Sequence, residues 1–101
     1  MNYTKEQILT KAKKVIKDLQ KQYFIEDNID RIWFEEKNEE SKVMGKTLPV
    51  WIVSIIEPIF DSIEFLTISD ETGEPLFYQN VNMIIHIIKK DENGNYLKIS
   101  N

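Results

Sequence analysis

Val50-Trp51-Ile52-Val53-Ser54-Ile55-Ile56 carries apolar side chains at odd and even positions alike, interrupted only by one serine. A strand with one wet side alternates apolar and polar residues, so this run reads as a central strand covered on both faces. Met83-Ile84-Ile85-His86-Ile87-Ile88 has the same character. Both runs lie in a stretch between Thr47 and Ile88 that holds no Lys or Arg but six carboxylates. Charge is therefore segregated along the chain. Residues 1 to 23 hold six lysines against Glu6 and Asp18, a balance of +4, and with a total of -4 the remainder must carry -8.

Working outward from the central run, the pattern switches period once. Thr4 and Gln7 stand at capping-box spacing with Tyr3 and Ile8 at the flanking staple positions, which predicts a helix beginning after Thr4. Ile8, Ala12, Val15, Ile16, Leu19 and Tyr23 recur at intervals of three or four and extend it as one amphipathic helix over about 5 to 23. Its lysines read as a solvated face. Beyond Asn28 the period falls to two. Strands are predicted at Ile29–Glu36, Leu48–Ile56, Ile63–Ser69 and Leu76–Gln79, with Lys37–Lys42 as a flexible hairpin loop and Asp70–Pro75 as a turn,. Val81–Lys90 reads as a separate fifth strand, as the continuation of the fourth past a bulge near Asn80, or as a short buried helix, and its β-branched content favours a strand. Asn93-Gly94 then signals a hairpin into Tyr96–Ile99,.

The expectation is one α+β domain over residues 1–101, with an N-terminal helix packed on a curved antiparallel sheet of four to six strands. A helix is about 10 Å wide with its side chains, whereas five strands at about 4.8 Å span roughly 24 Å. Large side chains such as Trp51, Ile55, Ile85 and Ile87 are the ones at risk of being left uncovered, unless the 57–62 segment or another chain folds over them.

Composition excludes several classes. With no cysteine there are no disulfides and no thiolate zinc sites,. The opening Met1–Gln7 is polar, without the basic-then-apolar order of a signal peptide, and no apolar run approaches spanning length, so no membrane association and a cytoplasmic location are expected. The acidic balance disfavours nucleic acid and favours basic protein partners. His86 is the sole histidine and sits among isoleucines, and no nucleophile elbow surrounds Ser54, Ser62 or Ser69. Gly45-Lys46-Thr47 lacks the upstream glycine of a phosphate loop. Asp70, Glu71 and Glu74 do not have the spacing of a calcium loop, so neither metal nor cofactor is expected. Glu57, Asp61 and Glu64 leave a small carboxylate-dependent hydrolase as the least favoured alternative.

Trp51-Ile52-Val53 on a central strand, followed by Ile68-Ser69-Asp70-Glu71-Thr72-Gly73-Glu74 before another strand, resembles PepSY-like and related small bacterial immunity-protein domains. The resemblance implies a helix on an antiparallel sheet and a non-enzymatic role in binding and neutralising a cognate toxin, often a basic nuclease. On that reading the partner-binding residues are Glu57, Phe60, Asp61 and Glu64 in one acidic loop and Asp70, Glu71 and Glu74 in the other. A structural homodimer or adaptor, joined through the apolar sheet face, is the main alternative.

Overall fold

The computed structural model of the protein describes residues 1–43, 46–57, 61–80, 82 and 84–99, with side chains for all of these except 39–43 and 46. Helix α1 spans Lys5–Gln20. Its start follows the capping box: Thr4 Oγ1 accepts from the Gln7 N–H at 3.2 Å while Gln7 Oε1 accepts from the Thr4 N–H at 2.8 Å, which satisfies two donors that a helix start otherwise leaves open. Ile8, Ala12, Val15 and Ile16 are buried on one stripe. The helix ends earlier than its apolar spacing predicts. Lys21 adopts φ +53° and a single 3₁₀ turn covers Lys21–Tyr23, so Tyr23 leaves the stripe and is 76% exposed.

Six strands follow: β1 Ile29–Val43, β2 Lys46–Glu57, β3 Ser62–Ser69, β4 Pro75–Gln79, β5 Ile85–Lys90 and β6 Tyr96–Ile99. They form one open antiparallel sheet in the order β1-β2-β3-β4-β5-β6, the expected α+β arrangement. Lys37–Lys42, expected as a loop, belongs to β1. Ladder pairing depends on the backbone alone, and β1 keeps it through register shifts, with Asn38 opposite Leu48 and Val43 opposite Lys46, so polar residues extend the hairpin without an apolar face. The ambiguity over residues 81–90 resolves as a separate fifth strand. Asn80 Oδ1 accepts from the Asn82 and Ile84 N–H groups, at 2.9 and 3.0 Å, and this Asx-type turn reverses the chain between β4 and β5. Around Asn93-Gly94 the reversal is made by Asp91, whose Oδ1 accepts from the Asn93 and Asn95 N–H groups.

The core lies between α1 and one face of the sheet. Trp51, Val53 and Ile55 from β2, Leu66 and Ile68 from β3, Tyr78, Ile88 and Tyr96 pack against the helix stripe. Trp51 and Ile55 were among the side chains at risk of exposure, yet they are 5% and 1% exposed, while Ile85 and Ile87 remain at 44% and 48%. Strand parity explains the difference: odd positions of β2 point to the helix, odd positions of β5 point away. Ion pairs fold the segregated charge back on itself, with Lys11 on Glu74 and Lys13 on Glu26, while Lys14 pairs with Asp18 within the helix.

Candidate functional site

The face of the sheet opposite α1 has no covering element among the described residues. One row crosses every strand: Trp33 opposite Ile52, Ile52 opposite Thr67, Thr67 opposite Phe77, Phe77 opposite Ile87, and Ile87 opposite Ile99. Five of these six residues are apolar. Toward the β2–β3 turn the flanking positions add Phe65, Ile85, Ile56 and Ile63, and toward the other end Leu97. Their exposure is uneven. Near β1 the Trp33 and Phe65 rings meet edge to face at 6.4 Å and form a shallow groove over Ile52 and Thr67, which are 7% and 3% exposed. Over β5 and β6 nothing comparable shelters Ile85, Ile87 and Leu97, each at least 40% exposed. The Trp33 indole N–H donates to Glu35 Oε2 at 2.9 Å and the Asn38 amide donates to Glu35 Oε1 at 2.5 Å, fixing the ring that walls the groove.

The two acidic loops sit at opposite ends of β3, which spans about 24 Å for its eight residues,. They do not form one surface. Asp70 is engaged inside the molecule, and Glu74 is paired at its surface. Asp70 is 2% exposed, and its carboxylate accepts from the Trp51 indole N–H at 2.9 Å and from the backbone N–H groups of Asn2 and Tyr3 at 2.8 and 3.3 Å. Burial alone would push the Asp70 carboxyl up, but these three donors hold it below the usual range,. Partial burial also opposes ionisation of Glu74, and hydrogen bonds from Lys11, Lys90 and Tyr96 outweigh it, placing that carboxyl at about 2. Glu71 is exposed.

At the β2–β3 end, Glu57 is half-buried at the close of β2, and Asp61 is exposed with φ +52°, a conformation Asp tolerates better than most residues. Glu64 points to the helix side, where it accepts from the Tyr78 hydroxyl at 2.5 Å. Burial first, then the hydrogen bond to Glu64 and the charge of that carboxylate, push the Tyr78 hydroxyl up, keeping it a donor. Phe60 lies outside the described residues. The antiparallel pairing of Ile29 with Ile55 brings Asp27 and Asp30 to this same end, an addition invisible in sequence spacing because some thirty residues separate them from Glu57.

His86 is half-buried, with Nε2 at 3.3 Å from the Asn80 amide nitrogen. Among the described residues no group of three or more His, Cys, Asp or Glu side chains is placed to hold a metal ion, and no helix is long and apolar enough to cross a membrane. Comparison with known proteins finds no matching family, no matching curated protein and no matching solved structure.

Proposed function

We propose that the chain is a non-enzymatic protein-binding module that works through the helix-free face of its sheet. The observation that carries this reading is the row from Trp33 to Ile99, together with Ile85, Ile87 and Leu97 left in water. Such a patch amounts to several hundred Å², at the upper limit for a monomer. Burying about 400 Å² of it is worth on the order of 10 kcal/mol before the costs of association. The groove between Trp33 and Phe65 adds the aromatic relief that anchors interfaces,.

The immunity-type role is the specific form of this proposal, with a basic toxin as the partner. Its support is the gathering of Asp27, Asp30, Glu57 and Asp61 at one end of the sheet, where four carboxylates outnumber the neighbouring Arg31 and present net negative potential to an incoming basic surface. Asp70 and Glu74 are reserved for the fold in this version, and Glu71 is a peripheral contributor.

The experiment is affinity capture from the host with wild type, Ile87→Glu and Asp61→Lys bait, quantified by mass spectrometry. Ile87→Glu is expected to lose proteins that wild type retains, and Asp61→Lys to weaken the salt-sensitive part of that set. Identical captured sets for wild type and Ile87→Glu would remove the sheet face from the proposal.

A further inference from the structure

The geometry points to a second copy of this chain as the occupant of the helix-free face, related by a two-fold axis running parallel to β3 and passing over Thr67. The inference rests on the reading of that face as a binding surface and names what binds there.

Charge placement selects the arrangement. Within the patch the charged residues are Glu35 on β1 and Lys89 on β5, with Arg31 at the rim. From the row through Thr67, Glu35 lies one outward-facing position beyond Trp33, opposite Val50, and Lys89 lies one beyond Ile87, opposite Leu97. Both steps go toward the β3–β4 turn, so the two charges stand at the same height on opposite sides of β3. A rotation about an axis parallel to β3 reverses the strand order between facing sheets and keeps each end of the sheet at the same end. It sets β1 of one protomer over β5 of its partner and β2 over β4. Glu35 then faces Lys89 twice in the dimer, Trp33 faces Ile87, and Ile52 faces Phe77. The axis passes over the groove whose floor is Thr67, 3% exposed, so the central contact falls to the Trp33 and Phe65 rings that wall that groove. Sheets packed in this aligned way cross at about 30°, well within the reach of Lys and Glu side chains. An axis perpendicular to the strands would instead lay Lys89 over Ile85 with no carboxylate opposite. Arg31 stays in solvent under the chosen axis, where its side chain is 79% exposed and within 3.8 Å of Asp30.

Area sets the scale. Six strands at about 4.8 Å and three rows of outward side chains about 7 Å apart outline about 600 Å², but Val50, Ile52 and Thr67 are already covered within the protomer, so the contact falls at the low end of specific interfaces. The same operation leaves the β2–β3 ends of both protomers side by side and uncovered, so the dimer presents its carboxylates in duplicate.

Sedimentation equilibrium of the purified full chain tests the inference. Wild type is expected to fit twice the 12.0 kDa chain mass at micromolar concentration. Ile87→Glu and, independently, Leu97→Glu should be monomeric while keeping the far-ultraviolet circular dichroism of wild type, since both side chains are exposed in the protomer. Lys89→Glu should raise the dissociation constant about tenfold, because two-fold symmetry counts each pair twice. In the background of Glu35→Gln, which keeps an acceptor for the Trp33 indole N–H, most of that loss should disappear. A wild-type chain that stays monomeric at high micromolar concentration overturns the second-copy assignment while leaving the face available to a different protein. A dimer that survives both Ile87→Glu and Leu97→Glu is held by another surface, which overturns this inference and leaves the binding reading to the capture experiment. A face dimer in which Lys89→Glu costs as much in the Glu35→Gln background as in wild type overturns the axis.

Discussion

The turns at the two ends of β3 look alike in sequence and do different work in the fold. Each holds three carboxylates within eight residues and no basic residue. At the β3–β4 end Asp70 is buried and ties the N-terminal residues and Trp51 to the turn, and the part-exposed Glu74 gathers Lys11, Lys90 and Tyr96, leaving Glu71 in solvent. At the β2–β3 end Glu64 accepts from the Tyr78 hydroxyl and Asp61 stands in solvent. The difference comes from where α1 begins and where β6 returns. Both bring lysines and backbone donors to the β3–β4 end, whereas Glu64 at the other end is held by a hydroxyl. Charge density along a chain is therefore a poor guide to which acids are available to a partner.

Substitutions across the two turns sharpen this contrast. The largest effect belongs to Asp70→Ala, which leaves the Trp51 indole N–H and two backbone N–H groups without their acceptor and should cost about 3 kcal/mol or more in urea unfolding,. Gly73→Ala comes next, at about 2 kcal/mol in the same assay. Gly73 has φ +72°, and a Cβ there would lie 2.7 Å from the Tyr3 ring, so the substitution adds backbone strain to a collision with a ring that packs on the core.

Glu74→Gln should cost about 1 kcal/mol at neutral pH, a figure reduced because the side chain is 37% exposed and its ion pairs are screened,. Its signature is the pH dependence. A carboxyl at about 2 in the folded protein, against 4.5 in the unfolded chain, binds protons less readily when folded. It contributes stability that is fully present above pH 4.5 and is lost as pH falls toward 2. The variant should show a flatter acid limb in a series of unfolding midpoints, with Asp18 and Asp70, whose carboxyls are also held low, supplying what slope remains. Asp61→Asn, at the other turn, keeps a side chain suited to the positive φ and should change stability by less than about 0.5 kcal/mol,. A large loss on Asp61→Asn, or a negligible one on Asp70→Ala, would break the distinction between the two turns.

Much of the scaffold was legible beforehand, because the signals are local. Thr4 and Gln7 announced the helix start, Asn93-Gly94 announced the last hairpin, and the run apolar at odd and even positions alike located β2. What escaped was non-local or backbone-driven. The positive φ at Lys21 ended the helix before Tyr23, and β1 extended through polar residues because its hydrogen bonds needed only a partner strand. The addition of Asp27 and Asp30 to the β2–β3 end followed from register, which no spacing along the chain records.

Sequence alone determined that one amphipathic helix would meet an antiparallel meander with more apolar surface than the helix can cover, since periodicity and side-chain volume are properties of the residues themselves. Only the tertiary structure decided which residues bear that excess. A strand turns alternate side chains to opposite faces, so a single step of parity or register sent Trp51 and Ile55 under the helix and left Ile85 and Ile87 in water. That step is chosen by the pairing of strands distant in the chain, a cooperative choice that no single segment makes.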